Sequence, residues 1–459
     1  MSTARWFRGL PIAACFIFAT GAHAQSSTAK PRNPSGTLTT PPRSPPPSDR
    51  TGDLITPPRT PPPRTPPART PQTDMSRAEP EPPAVDPVAP PSPTPADLDV
   101  AQAPASRITA SLRRELLVAS NDITEADAQR AWMQSQGAQV LRRRTLASLG
   151  WVITVYRLAP DAAPATVIAA LVQQWPGAMP ESNERYPGLE GAASALPVEY
   201  AARLIRWPPA GCSRKPRIAM LDGPVNTRLR EFSAGKLTSV AFTPPAGTPN
   251  YNHGTAVAAV LMSQGPSPGL LPQAELLLGV VMVDEDGKPY TTTEWILRGL
   301  DWVVGLSPPP AALNLSFGGP RSAQLARALD RVLAVTRVVA AAGNDGRNAA
   351  VFPASHPGVI GVSAVDARER RWPAANTGEH VAIAAPGVDV WTIDGAGSGY
   401  YASGTSFATV FVTAAIALSA PTQAQVVEWL PLHARDAGAP RRDPEYGYGV
   451  LTLNEGCAP

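Results

Sequence analysis

The chain has 459 residues, enough for two or three domains, and 55 of them are proline, against an average usage of about 5 %. Its 40 basic and 37 acidic residues leave a net charge of +3, which excludes the strongly basic surface of a typical nucleic-acid-binding protein. Because no stretch reaches about 18 apolar residues, we expect no transmembrane span in the mature chain.

The N-terminus has the three-part plan of a secretory signal peptide. Arg5 and Arg8 precede an apolar run, and Ala22-His23-Ala24 forms a small-x-small cleavage pattern. We therefore expect residues 1–24 to be removed as the protein is exported to the periplasm or the medium. Two alternatives remain open: a buried helix of the mature fold, and lipid attachment at Cys15, which ends a motif resembling that of bacterial lipoproteins.

Residues 25–105 are rich in proline and contain short repeats of the type Thr-Pro-Pro-Arg. Proline favours extended polyproline II conformations, so this segment is predicted to be a disordered, semi-stiff linker. The alternative is a Pro-x-x-Pro ligand for a partner protein.

Residues 106–192 are predicted to form a small domain in the order β-α-β-β-α-β, which is typical of a ferredoxin-like α+β fold. Its first helix is expected to open on a capping box at Thr124 and Asp127, and its second to be capped by Asp161. The predicted strands are 115–119, 138–145, 150–158 and 179–186, and the predicted helices are 124–136 and 164–175.

Residues 195–459 alternate apolar strands with helices, the pattern of an α/β fold with a doubly wound, mainly parallel sheet. Ligands bind such sheets at the carboxyl ends of the strands. The predicted strands are 217–221, 276–283, 312–316, 338–342, 359–365 and 381–384, and the predicted helices are 254–262, 293–304, 322–336 and 405–419.

Four polar residues lie at strand ends or helix starts of this domain. Asp222 and Asn344 follow apolar strands, whereas His253 and Ser406 begin apolar helices. Taken singly, each has an ordinary interpretation: a turn aspartate, a turn asparagine, a surface histidine and a capping serine. Taken together, the chain order Asp, His, Ser is one of the known arrangements of a serine-nucleophile triad.

At these residues the chain resembles the subtilisin-like serine proteases, the subtilases, over about residues 195–456. The combination of His253-Gly254-Thr255 with Gly404–Ala408 is highly specific. Further matching stretches are 218–223, 313–319, 340–346 and 385–387.

The resemblance implies a role for each residue. Ser406 would be the nucleophile, His253 its general base and then acid, and Asp222 the group that orients the imidazole. Asn344 and the Ser406 backbone N–H would form the oxyanion hole. Ser316-Phe317-Gly318 would pair with an extended peptide substrate as an added strand.

These features predict an exported serine endopeptidase that needs no cofactor and acts on protein or peptide substrates. By element order, residues 106–192 resemble the family's inhibitory propeptide, so we expect a zymogen that cuts itself between about residues 187 and 200. Two alternatives are a catalytically silent peptide-binding protein and a surface lipoprotein protease on a Pro-rich stalk.

Some residues depart from the family pattern. Gly223 replaces the common Thr or Ser, and Val410 and Phe411 stand where Pro and His are usual, which predicts a shifted helix start near Ser406. The segment 345–353 is short, which predicts an open or reshaped specificity pocket. Residues 263–275 contain one carboxylate, too few for a calcium loop, so no metal site is expected.

Removal of the signal peptide would leave two cysteines, Cys212 and Cys457. An even number in an oxidising compartment favours a disulfide between them. The alternative is two unrelated buried thiols.

Overall fold

The computed structural model of the protein describes residues 98–99, 114–189, 200–208, 215–233, 236–245, 249–264, 268–285, 287–419 and 421–453. The predicted signal peptide, nearly all of the Pro-rich linker and the cysteines Cys15, Cys212 and Cys457 lie outside these residues. Among the helices within the described ranges, none is long and apolar enough to cross a bilayer.

Residues 114–189, here called the N-terminal unit, follow the order β-α-β-β-α-β up to residue 182. Their strands form one antiparallel sheet in the order β1-β3-β4-β2-β5, in which β1 comes from the preceding segment. The elements are β1 (Leu98–Asp99), β2 (Glu115–Ser120), α1 (Ile123–Ser135), β3 (Gln139–Leu146), β4 (Trp151–Arg157), α2 (Pro164–Gln174), β5 (Met179–Ser182) and β6 (Arg185–Pro187).

The predicted caps of both helices in this unit are wrong. The Asp122 carboxylate accepts the Glu125 N–H at 2.8 Å, and the Glu125 carboxylate accepts the Asn121 N–H at 2.9 Å, so the cap lies two residues before the predicted one. The N-cap of α2 is Ala163, which has no side-chain cap, because the proline after it already suits the first helical position. Asp161 lies too early to cap this helix.

The remaining elements form the predicted α/β domain, with a nine-stranded sheet in the order β8-β9-β7-β12-β13-β14-β15-β19-β18. All neighbouring pairs are parallel except β18 with β19. The elements are α3 (Ala201–Leu204), β7 (Arg217–Asp222), β8 (Lys236–Ala241), α4 (Asn252–Met262), β9 (Glu275–Val280), β10 (Val283–Glu285), β11 (Lys288–Thr292), α5 (Thr293–Gly305), β12 (Ala312–Leu315), α6 (Ala323–Leu333), β13 (Arg337–Ala341), β14 (Ile360–Val365), β15 (Val381–Pro386), β16 (Val390–Ile393), β17 (Gly399–Ala402), α7 (Thr405–Ser419), α8 (Val426–Leu432), β18 (Ala434–Arg435) and β19 (Val450–Leu451).

Helices cover both faces of this sheet. Alternate residues of β7 belong to two apolar clusters, Ile218 and Met220 to the cluster of α4 and α7, and Ala219 and Leu221 to the cluster of α5 and α6. A strand buried on both faces is apolar along its whole length, which is why these strands could be predicted as continuous apolar runs.

The N-terminal unit packs its sheet against α5 and α6. On β2, Leu116 and Val118 face the unit's own helices, whereas Leu117 and Ala119 join the apolar cluster of the larger domain. The two-residue period of a strand therefore gives this sheet two buried faces, one of them in the interface.

Candidate active site

Asp222 and His253 are brought together by the close approach of α4 to the end of β7. His253 Nδ1 lies 2.5 Å from Asp222 Oδ1, and both side chains are buried. An added Cβ on Gly254 would lie 2.3 Å from the Gly223 carbonyl oxygen, so this approach needs glycine after the histidine. A carboxylate bonded to Nδ1 fixes the orientation of the ring, so Nε2 is the nitrogen that would transfer a proton.

Ser406 is the second residue of α7, a helix buried along nearly its whole length. Its hydroxyl donates to the Leu189 carbonyl oxygen at 2.5 Å and lies 3.1 Å from the Ser316 carbonyl oxygen. Val410 and Phe411 are buried within a helix that begins at Thr405, since an apolar pair suits a helix enclosed on all sides.

Asn344 follows β13 and faces the first turn of α7. Its Oδ1 accepts from the Thr405 hydroxyl at 2.7 Å and from the Thr405 N–H at 3.1 Å, which assigns the orientation of the amide. Its Nδ2 is buried and has no hydrogen-bond partner within the described part of the chain. A fixed amide donor beside the positive end of a helix suits an oxyanion.

An extended segment of the N-terminal unit lies beside these residues. Strand β6 pairs antiparallel with β11, and Gly188 forms an antiparallel bridge with Phe317. The Leu189 N–H donates to the Ser316 carbonyl at 3.3 Å, and the Gly318 N–H donates to the Pro187 carbonyl at 3.4 Å. Residues 316–318 thus contact an extended peptide on its backbone, the contact expected of them for substrate.

Two side chains of this segment fill pockets. Tyr186 is fully buried, meets Phe317 edge-on with ring centroids 6.4 Å apart, and donates its hydroxyl to the Pro320 carbonyl at 3.0 Å. Leu189 is buried beside Gly318 and Val351. Val351, from the short segment 345–353, reaches the position that a Cβ on Gly318 would occupy.

The N-terminal unit also closes the start of α5. Arg142 Nε lies 2.9 Å and 3.1 Å from the two carboxylate oxygens of Glu294, and Arg142 Nη2 lies 3.1 Å from Glu115 Oε2. Burial lowers the pKa of Arg142, but the carboxylates of Glu294 and Glu115 outweigh it and raise that pKa. Asn183 Oδ1 accepts the Glu294 N–H at 3.2 Å, and the Glu184 carbonyl accepts the Thr293 N–H at 3.1 Å.

The N-terminus of α6 is also hydrogen-bonded to a residue of the N-terminal unit. The Glu181 carboxylate accepts the Ala323 N–H at 3.0 Å and the Ser322 hydroxyl, and burial raises the pKa of Glu181. The sequence analysis did not identify Asn183 and Glu181 as caps of these helices. It also did not identify the buried side chains of Tyr186 and Leu189. Only the helix starts themselves could have pointed to the caps, because the partners are distant along the chain.

Within the parts that the structure describes, no group of three or more His, Cys, Asp or Glu side chains is arranged to hold a metal ion.

Comparisons with known proteins identify the family. Residues 214–449, just over half of the chain, match the family model described as the subtilase family, peptidase S8. The chain is 30 % identical over 254 residues to a subtilisin of Bacillus pumilus, covering 52 % of this chain and 89 % of that protein. It is 31 % identical over 215 residues to subtilisin E of Bacillus subtilis (strain 168), covering 44 % of this chain and 54 % of that one.

Among solved structures, fervidolysin from Fervidobacterium pennivorans, a keratinolytic enzyme related to subtilisin, superposes with a TM-score of 0.58. The match covers 74 % of this chain and 60 % of that chain at 20 % identity, which shows likeness of fold alone.

Proposed function

Because the chain belongs to the subtilase family of serine endopeptidases, we propose that it is an exported member that works through Asp222, His253 and Ser406 and is made as a self-processing zymogen. One observation carries this proposal: the Ser406 hydroxyl contacts the Leu189 carbonyl of an extended segment of the same chain. A nucleophile beside the carbonyl of a peptide held as an added strand is the geometry of a bound substrate.

In the proposed reaction, each group has one role. Ser406 Oγ attacks the carbonyl carbon of the residue bound at the position of Leu189 and gives its proton to His253 Nε2. Asp222 stabilises the resulting imidazolium, and the Asn344 Nδ2 and Ser406 backbone N–H donors bind the oxyanion. The C–N bond then breaks, His253 returns the proton to the leaving amine, and water hydrolyses the acyl-enzyme.

In the zymogen the bond to be cut is Leu189–Glu190. This bond lies inside the junction expected from the sequence, between about residues 187 and 200. The N-terminal unit is the inhibitory propeptide in this proposal, since its last five described residues fill the groove and exclude other substrates.

The experiment compares the full chain with its Ser406→Ala variant, both expressed with the N-terminal segment in a protease-deficient host. The wild-type chain should yield a fragment starting at Glu190, and Ser406→Ala should stay joined through this bond yet fold. Ser419→Ala is the matched control, because it makes the same change at the far end of the same helix and should process like the wild type. Cleavage of Ser406→Ala at the same bond would show that another protease is responsible.

Two alternatives are separated by simple measurements. A fluorophosphonate probe should label Ser406 in the processed enzyme, whereas a silent peptide-binding protein would stay unlabelled. The mass of the exported N-terminus distinguishes cleavage after Ala24 from lipid attachment at Cys15.

A further inference from the structure

Gly188 lies in the groove between β11 and residues 316–318, with no room there for a side chain. An added Cβ there would lie 2.7 Å from Pro289 Cγ and 2.9 Å from Met282 Cε, closer than real Cβ atoms approach other heavy atoms. The φ of Gly188 is not in the left-handed region. Glycine is therefore required by the two neighbouring side chains and not by the backbone conformation.

The segment cannot relieve this crowding by moving aside, because it is held on both edges. The Gly188 N–H donates to the Pro289 carbonyl at 2.9 Å, while the Leu189 N–H and Pro187 carbonyl bond the opposite edge of the groove. A shift away from Pro289 would break the first bond and displace the Leu189 carbonyl from the Ser406 hydroxyl. Crowding at this position therefore acts on the reacting bond itself.

The two walls differ in stiffness. Met282 is buried and ends in a flexible side chain, and its backbone N–H donates to the Asp222 carbonyl at 3.3 Å. Pro289 is a rigid ring within β11. Both also line a cavity of about 60 Å³ together with His253 and Asp284, so shortening Met282 would join this space to the position of Gly188.

We infer that Met282 and Pro289 make the enzyme selective for glycine at the residue before the one whose bond is cut. This inference rests on the proposed peptidase function and defines its substrate class: protein segments in which glycine precedes a leucine-sized apolar residue. Any larger residue at that position meets the two walls before its backbone can reach Ser406.

The selectivity is measured on the processed enzyme with two fluorogenic peptides, acetyl-Arg-Tyr-Pro-Gly-Leu and acetyl-Arg-Tyr-Pro-Ala-Leu, each carrying a fluorescent amine as leaving group. The wild type should prefer glycine by about 10- to 100-fold in kcat/KM, the effect of one methyl group that does not fit. The double variant Met282→Ala, Pro289→Ala should reduce the preference to about threefold or less, since both walls that the methyl group meets are then shortened. Met262→Ala, a buried methionine in the core at the end of α4, should retain the wild-type ratio.

A ratio within about twofold for the wild type would overturn the inference, as would an unchanged ratio in Met282→Ala, Pro289→Ala. Because each ratio is taken within one enzyme, a general loss of activity in a variant does not affect it.

A second measurement needs no turnover. In the full chain carrying Ser406→Ala, Gly188→Ala should lower the hydrogen-exchange protection of the Leu189 amide by about tenfold or more, and adding Met282→Ala and Pro289→Ala should restore it. Gly177→Ala is the control, because its added Cβ meets only the Asn121 side-chain amide, at 3.2 Å. Equal protection with and without Gly188→Ala would contradict the inference, whether or not the chain is a peptidase. Failure of the peptidase function would be seen separately, as absent labelling of Ser406.

Discussion

The Arg142 guanidinium of the N-terminal unit and the Glu294 carboxylate of α5 form an ion pair across the interface, with Nη2 and Oε2 2.9 Å apart. Glu294 is almost completely buried, whereas Arg142 keeps about a quarter of its side chain exposed (24 %). Loss of the arginine would leave a buried carboxylate without its cation, which costs more than the pair itself contributes.

We therefore expect Arg142→Met to destabilise the full chain in the Ser406→Ala background by about 2 kcal/mol, less than for a fully buried pair because of that exposure. Denaturant unfolding monitored at the N-terminal unit measures this. The double variant Arg142→Met, Glu294→Leu should recover part of the loss. Arg130→Met is the control: its pair with Asp127 is exposed, so about 0.5 kcal/mol or less is expected. Equal losses at Arg142 and Arg130 would show that the interface pair has no special weight.

Asn344→Ala should lower kcat with little change in KM, because its Nδ2 is the donor assigned to the oxyanion. Removal of such a donor in subtilisin, a relative of this chain, sets the scale at roughly 10²–10³ in kcat. Asn344→Asp provides the companion test, since it keeps the oxygen that accepts from Thr405 but loses the amide donor. Activity of either variant within about threefold of the wild type would remove Asn344 from the oxyanion hole.

Tyr186 should determine how well the tail occupies the groove. Tyr186→Ala removes a fully buried ring, a change that costs about 3–5 kcal/mol in a core, and should slow self-cleavage at Leu189–Glu190 by at least about tenfold. Tyr186→Phe keeps the ring and loses only the bond to the Pro320 carbonyl, so a loss of about 1 kcal/mol or less is expected. Time courses of self-cleavage followed by mass spectrometry compare the two. Equal slowing by both variants would mean that the hydroxyl, and not ring burial, anchors the tail.

Docking of the N-terminal unit should depend on pH through Glu181 and Asp301. Burial raises the pKa of both carboxyl groups, and both bond across the interface: Glu181 to the start of α6, and Asp301 to the Leu149 N–H at 2.9 Å. A raised pKa means that each carboxyl group holds its proton more tightly in the docked state than after the unit and the larger domain have separated. Their contribution is therefore complete at acid pH and declines as the pH rises through the docked pKa.

Glu181→Gln isolates this effect because it is neutral at every pH. The dissociation rate of the cleaved N-terminal unit should rise in the wild type as the pH rises above the ordinary range of a carboxyl group, and it should rise less steeply in Glu181→Gln. Identical pH profiles would exclude Glu181 as a contributor.

The elements that the sequence predicted best are those enclosed on all sides. Helix α7 runs from Thr405 to Ser419 as its apolar pattern indicates, and the strand before Asp222 was recognised because both faces of the sheet are covered. Asp222 and His253 could be identified because each lies in a short local motif at a strand end or helix start.

Other elements depend on partners far along the chain. β8 is a half-exposed edge strand, and the hairpins β10–β11 and β16–β17 are too polar or too short for a periodic signal. The apolar run of β9 continues to Val281 and Met282, yet the strand ends at Val280. The two later residues donate their N–H groups to the Asp222 carbonyl, and the Met282 side chain lies beside Gly188 in the groove. An apolar run in the sequence therefore does not show where a strand ends and where residues that line a pocket begin.

The groove that holds β6 has a hydrogen-bonding edge on each side, one from β11 and one from residues 316–318. A polypeptide that enters it must offer about five consecutive residues with the N–H and C=O groups of both edges uncommitted. In a folded substrate protein, these N–H and C=O groups are already hydrogen-bonded to each other within helices and between paired strands. Such a substrate is cut only in the fraction of time that the segment is open, so its cleavage rate would follow the local unfolding equilibrium of the substrate wherever reclosing is faster than cutting. The enzyme would then cleave locally unstable proteins faster than stable ones. A well-folded protein would escape cleavage even where it contains a glycine-leucine pair.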